Sequence, residues 1–439
     1  MPDIAKHVAI IGGGYAGMAA AVTLAEQRVP VTVYEAGPLL GGRARRVPIH
    51  DAALDNGLHI LVGAYRETLR LIAQVHPAPD SALLRLPLDW YLHQHLHLRA
   101  PRLPAPLHLA AALFTAQGAG WSERWAAIRM MRALRGAKFR LPRDTTVSAL
   151  LAHHQQGPVF TQHLWNPLCV SALNTPPDKA SAQVFLSVLR DGLNADRAGS
   201  DLLISRVDLS ALFPEPAADY VRARGGEVLT ACRVGAVNPV GGGFQVTASG
   251  AGTNARTFSH VICALPPHQV AAFVADIDAL SATLEIVQNI QYQPITSVYL
   301  QFDGRVRLPA PMTGLAGGLV HWLFDRETLC GQRGLIGAVI SAEGLHQNLT
   351  QDALAQRVHN ELAAHFGPLP PLTWQRVITE KRATFSATPG LRRPPQKTPL
   401  ANFWLAGDYT ASEYPATLEA AVRSGIACAH GILGRAAAL

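Results

Sequence analysis

The chain has 439 residues, 49% of them hydrophobic and 16% charged, with a formal net charge of +7. That length exceeds one ordinary core and predicts two domains, and the apolar share excludes a disordered chain. The basic balance suits an anionic ligand or an anionic membrane surface. With no RNA-binding signature, zinc-finger spacing or lysine-rich tail, no nucleic-acid partner is expected.

The five cysteines, Cys169, Cys232, Cys263, Cys330 and Cys428, are scattered and form no CxxC pair. They predict reduced thiols and no metal centre. The N-terminus runs into a strand without a signal-peptide pattern, and no apolar run reaches the ~18 residues of a membrane span. The expected location is cytoplasmic, with peripheral attachment to the inner face of the cell membrane left open.

In chain order, "HVAIIGG" reads as a buried parallel strand and "GMAAAVTLAEQ" as the helix that it feeds. Gly12 permits the tight turn, Gly14 lets backbone approach a pyrophosphate, and Gly17 lets helix pack on strand; Ala16 lies within the same turn. The helix N-terminus offers unpaired N–H groups to phosphate. A second strand, "VPVTVYE", ends in Glu35, about 20 residues on, where a carboxylate accepts from ribose hydroxyls. In "EAGPLLGGRARR", Gly41 and Gly42 allow another close backbone approach, and Arg43 can bridge to phosphate or pack beside a cofactor ring. A simple NAD dehydrogenase has no need of that element.

Further along, Asp55 and Asn56 shape a turn. The segment 107–143 sets Trp121, Trp125, Met130 and Met131 against Arg124, Arg129, Arg132, Arg135 and Lys138. It is either a domain helix with a solvated basic face or a surface that docks on anionic lipid. "ARGGEVLTACRV" is a glycine turn leading into a strand, "VGGGFQV" a hairpin turn, "HVICALPP" a buried strand and "LRRPPQKTP" a proline-rich loop. Near the end, "FWLAGDYTASEYPATLEAAVRSGIACA" reads as a strand ending in Gly407-Asp408, then a helix starting near Ala416. Asp408 can accept from ribityl or ribose hydroxyls, and the N–H groups of Thr417 and Leu418 suit an electron-rich ring edge.

The order GxGxxG, acid, GGR, followed by the C-terminal segment, resembles the flavin-containing amine oxidase and carotenoid desaturase superfamily. The resemblance implies an α/β fold: a Rossmann-like FAD-binding domain built from 1–75, 205–275 and 375–439, with a second, α+β substrate domain from 76–204 and 276–374. It implies non-covalent FAD, with the strand around Val234 offering backbone to the adenine. Four stretches, 53–72, 165–193, 202–228 and "YPATLEAAVRSG", look like the squalene-associated FAD-dependent enzymes, the hydroxysqualene dehydroxylases. These would remove the hydroxyl of a C30 isoprenoid alcohol by hydride transfer from reduced FAD, recharged by an unidentified electron donor.

The same resemblance places Gly57, Leu58 and His59 close to the flavin. His59 is the first candidate proton donor, because imidazole titrates in the useful range; Tyr65 and Arg66 are candidates further along. A glutamine is common in the family where Leu58 stands, so a polar role there is not expected. Glu419 reads as a capping carboxylate. The competing readings are a polyene desaturase or amine oxidase, which runs the flavin oxidatively, and a prenyl-lipid carrier of the same fold.

Overall fold

The structure is a computed structural model that describes residues 6–49, 52–194, 196–250, 255–274 and 277–435. Its organising element is a five-stranded parallel sheet in the order Glu227–Leu229, Val31–Tyr34, Val8–Ile11, His260–Cys263, Phe403–Leu405. The chain lays down the strands on one side of Val8–Ile11 first and then returns on the other side. The order therefore reverses between Val8–Ile11 and His260–Cys263, and the crevice at such a switch point is where open α/β sheets bind ligands. Gly12 follows the central strand at that point.

The central strand is wholly buried, as a parallel strand covered on both faces must be. The alanine-rich helix Tyr15–Glu26 and the C-terminal helix Leu418–Ile432 pack together against this sheet. A Cβ on Gly425 would lie 2.1 Å from the Ala16 carbonyl oxygen, so this glycine is what lets the two helices meet backbone to backbone.

The second large sheet has seven strands, in the order Leu372–Phe385, Tyr292–Phe302, Leu335–Ser341, Trp322–Asp325, Met312–Gly314, Asp89–Leu92, Leu96–Arg99. Helix Gln351–Phe366 buries Leu354, Ala355, Val358 and Leu362 against Val298, Leu300 and Ile336 of that sheet. The segment 107–194 forms a helical layer around a core that includes Phe160, Trp165, Phe185 and Leu186.

Two expected domain limits fall inside strands. The one at 374/375 cuts the 14-residue strand Leu372–Phe385, and the one at 204/205 cuts Leu202–Ser205. The latter strand pairs with both Ile60–Val62 and Leu83–Leu86 and so bridges the limit at 75/76 as well. Ladder pairing with distant partners, absent from local composition, sets these ends. "VGGGFQV" is a hairpin: Arg233–Val240 pairs with Gly243–Ser249 across Gly241 and Gly242, whose φ angles of +54° and +85° suit the paired left-handed residues of a primed turn. Among the described residues, no helix is long and apolar enough to cross a membrane, and no three-residue His/Cys/Asp/Glu group could hold a metal ion.

Candidate active site

Each of the three glycines in the first turn answers a different demand. Gly12 has φ +111°, and a Cβ there would sit 2.7 Å from the Ala264 oxygen; a Cβ on Gly17 would sit 2.0 Å from the Gly12 oxygen. Neither can be replaced without moving backbone. At Gly14 a built Cβ would meet only ordinary van der Waals contact, 3.8 Å from Gly42 Cα and 3.9 Å from the Gly41 oxygen. The protein itself therefore leaves room there, and a side chain would take up space beside the second glycine loop. Gly14 precedes the first helix with no side-chain cap, which leaves the N-terminal N–H groups to an external acceptor. Ala16 sits in that first turn, and its carbonyl abuts Gly425.

The second glycine loop packs on the first. Gly41 N–H donates to Gly13 O at 2.9 Å, and Gly14 and Gly41 form a parallel bridge. Gly14, Gly41 and Gly42 thus make a cradle with no side chains. Glu35 accepts from Gly13 N–H at 2.8 Å through one oxygen and from Gly37 N–H at 2.7 Å through the other. Each carboxylate oxygen retains a lone-pair direction for a ribose hydroxyl. Beside it, Cys232 N–H donates to Glu35 O at 2.8 Å, bringing in the strand that carries Val234. Val234 packs partly buried on the main core, and the ladder register slips between it and Ala236.

At the other end of the cradle, Arg43 donates to Asp408 Oδ1 at 2.6 Å and to the Ala383 carbonyl. A guanidinium with two arms committed is an orienting group for Asp408 more than a free phosphate clamp. Gly407 N–H donates to Ser424 Oγ at 2.8 Å, so the C-terminal helix holds the turn before Asp408. Thr417 caps that helix by accepting from Ala420 N–H at 3.1 Å, and the helix begins at Leu418, two residues later than Ala416. The N–H groups of Leu418 and Glu419 have no described protein partner and form the positive end of this helix, one residue later than the Thr417 and Leu418 groups expected from the sequence.

Arg393 is a residue that the sequence reading missed. Its guanidinium donates to the carbonyls of Asp408, Tyr409, Thr410 and Tyr414, and it stacks over Phe385 with 4.7 Å from Cζ to the ring centroid. Burial lowers its pKa to about 10. One side chain from the proline-rich loop thus pins the whole 408–414 turn. An arginine inside a run of prolines was the only local hint.

The 55–66 segment divides between uses. Asp55 is buried; it accepts from Leu209 N–H at 2.8 Å, and burial pushes its carboxyl up to about 6. Asn56 donates to the Arg43 carbonyl at 3.1 Å and so fixes the GGR loop from behind. Leu58 packs on the large sheet, where a Cβ on Gly337 would come within 2.5 Å of its Cδ1. Gly57 contributes its carbonyl, which accepts from His59 Nδ1 at 2.7 Å.

That bond sets the tautomer of His59. Nδ1 carries the proton and Nε2 is left as a lone-pair acceptor. Burial, and then the neighbouring Arg43 charge, lower its pKa below the usual 6.5. A neutral ring with an acceptor nitrogen is poorly matched to the proton-donor role expected for it. Tyr65 lies at the N-cap of helix Arg66–Val75, packs on the parallel-sheet core and reaches the Thr417 side chain; burial, and then Glu419, raise its pKa. Arg66 is a surface residue, 66% exposed and paired with Asp196 at 2.7 Å, and its candidacy as a catalytic group ends there. Helical spacing could not show which face of that helix looks inward. Glu419 caps the same helix, accepting from Thr68 N–H at 2.9 Å and from its hydroxyl at 2.8 Å.

The side-chain-free cradle, the two helix N-termini with unpartnered N–H groups and the acids at either end fit a dinucleotide that carries a flavin. A family model described as flavin containing amine oxidoreductase matches residues 15–433. The hydroxysqualene dehydroxylase of Rhodopseudomonas palustris is 30% identical over 453 aligned residues, covering 99% of this chain and 100% of that protein. The one from Zymomonas mobilis is 28% identical over 437 residues, covering 95% and 96%. An oxidoreductase from Methanosarcina mazei, known as a solved structure, shares the fold with a TM-score of 0.73 at 14% identity, covering 98% of this chain and 100% of that one. The chain therefore belongs to the flavin-containing amine oxidoreductases and, among these flavin-dependent oxidoreductases, to the hydroxysqualene dehydroxylase family.

Proposed function

We propose that this protein is a reductive dehydroxylase of hydroxysqualene, serving bacterial squalene and hopanoid synthesis with non-covalent FAD. The observation that carries the reading is the end-to-end similarity to two hydroxysqualene dehydroxylases. The overall change balances as allylic alcohol plus FADH2 giving the hydrocarbon, FAD and water. Bound FAD, once reduced by an external donor, supplies the hydride equivalent for the allylic carbon.

The chain's own residues do the rest. The Gly12–Gly17 turn and the Gly41-Gly42 loop receive the pyrophosphate, and Glu35 receives the adenosine ribose beside the strand at Val234. Asp408, oriented by Arg43, accepts from ribityl hydroxyls. Leu418 and Glu419 N–H groups, behind the Thr417 cap, stabilise negative charge at the ring edge. The segment 407–418 holds no cysteine or histidine, so it offers no thiol or imidazole tether there. His59 Nε2 is assigned as an acceptor that orients a hydroxyl, of cofactor or substrate, and the departing oxygen takes its proton from another source.

The test is direct. Purified protein should carry a flavin spectrum and release intact FAD on denaturation. Anaerobic photoreduction followed by hydroxysqualene should reoxidise the flavin with formation of squalene. Oxidation of squalene or phytoene by the oxidised protein would instead establish a desaturase. Failure to take up FAD would leave only a lipid carrier.

A further inference from the structure

The exposed apolar side chains of this protein are not scattered. Among the described residues, seven large hydrophobic side chains are exposed, and five of them, Leu103, Leu107, Phe114, Trp121 and Trp125, lie within 103–125. Three of the five form one aromatic group, with the Phe114 ring centroid 5.1 Å from Trp121 and 6.0 Å from Trp125. Trp121 is 60% exposed and Trp125 51%. Single exposed apolar residues need no explanation, whereas a contiguous aromatic group on a surface marks something that covers it.

The helix Trp121–Gly136 shows what kind of cover. One face, Ala126, Ala127, Met130, Met131 and Leu134, is buried in the helical layer. The opposite face, at helical spacing, carries Trp121, Trp125, Arg129, Arg132 and Arg135, with exposed Lys138 just beyond the helix. None of Arg129, Arg132, Arg135 and Lys138 has an ion pair or side-chain hydrogen bond among the described residues. Glu123, the one acid of the helix, is turned away and accepts from Val159 N–H at 3.1 Å and Phe160 N–H at 2.9 Å. The outward face is therefore aromatic at one end, cationic at the other, and free of carboxylates.

The aromatic end is held in place. Arg124 donates to the carbonyls of Ala119 and Phe114, both at 3.0 Å, and its Cζ stacks 4.9 Å from the Trp121 ring centroid. Helices Leu107–Phe114 and Trp121–Gly136, with the Trp121 ring, thus present a fixed ledge.

We propose that this ledge docks on an anionic phospholipid bilayer. Tryptophan and phenylalanine settle at the level of the headgroups and upper acyl chains, while unpaired arginines meet lipid phosphates. Charge decides against a second copy of this chain: a two-fold contact through this face would bring together two surfaces that each carry Arg129, Arg132 and Arg135 and offer no acid to offset them. The proposal stands on surface chemistry and does not depend on the reaction assigned above. If that reaction is correct, docking brings the active site to a substrate dissolved in the membrane.

The test uses the flavin-loaded full chain and sedimentation with phosphatidylcholine vesicles, with or without ~30% phosphatidylglycerol. Binding is expected to the anionic vesicles, to weaken with added salt, and to shift tryptophan emission to the blue. Replacing Arg129, Arg132 and Arg135 by Gln should weaken binding about fivefold per residue, on the order of a hundredfold for all three. Trp121→Ser with Trp125→Ser should remove the emission shift and most of the binding. Both variants should keep the parental melting temperature, flavin content and turnover of detergent-dispersed substrate, which separates loss of docking from loss of the reaction. No sedimentation with anionic vesicles, equal binding to neutral ones, or a solution dimer dispersed by the tryptophan changes would overturn the proposal.

Discussion

Replacing glycine by alanine inside a helix normally stabilises it by about 1 kcal/mol. Gly425→Ala is expected to do the opposite. The added Cβ would stand 2.1 Å from the Ala16 oxygen and 3.0 Å from Ala20 N, both backbone atoms of the first helix. Restoring an ordinary carbon–oxygen contact requires the two backbones to part by about 1.2–1.5 Å at that point. Overpacking of this kind costs ~1–3 kcal/mol. After the propensity gain, a net loss of ~0–2 kcal/mol remains, towards the upper end because a carbonyl cannot rotate aside as a side chain can.

The same parting moves the N-terminus of the first helix relative to the Ser424–Gly407 bond, so flavin binding should weaken with stability. Gly136→Ala is the control, since a Cβ there meets nothing within 4 Å at the exposed end of its helix. It should raise stability by up to ~1 kcal/mol. Thermal melts of apo and flavin-loaded protein, with flavin titration by fluorescence, give the comparison, each kcal/mol being worth ~1 °C for a chain of this length. A Gly425→Ala protein that melts at or above the parent and binds flavin equally well would refute the close-contact argument.

Three further expectations follow from buried charge. Asp55, raised to about 6 in the fold, has an unfolded value near ~3.9. Its favourable contribution is therefore complete below about pH 4 and is lost as pH rises through 6, which costs on the order of 3 kcal/mol at neutral pH. Asp55→Asn keeps an oxygen for Leu209 N–H and should flatten the stability slope between ~pH 4 and 6 in urea melts; an unchanged slope would show that the carboxyl is not the cause. Arg393→Leu leaves four turn carbonyls without their donor, at ~1–3 kcal/mol for each that stays buried; flavin affinity should fall at least tenfold, and unaltered affinity would make Arg393 a bystander. His59 is held neutral by burial, so turnover should not fall as pH rises from ~6 to 8. A fall over that range that disappears in His59→Gln would restore the imidazole as the acid.

Much of this protein was legible in the sequence because the features concerned are local. The turn at Gly12, Gly14 and Gly17, with the acid at Glu35 about 20 residues on, is one strand–turn–helix–strand unit, and the hairpin at Gly241-Gly242 depends on φ angles of adjacent residues. Glu419 could be read as a capping carboxylate from its place in a first helical turn, but the helix that it caps, 351 positions away at Thr68, was set by the tertiary structure. Tertiary structure decided what joins distant segments. The Arg43–Asp408 pair spans 365 positions, and no pattern on either side announces it. Leu58 turned to Gly337 because the large sheet offers a gap there, and Arg66 turned to Asp196 because a helix end on the surface leaves its first residue facing water. Arg393 read only as part of a proline-rich loop, and its role came from four carbonyls of another loop that close around it. Spacing tells which backbone a side chain stands on; which partner it meets depends on contacts that form only when the rest of the chain has packed.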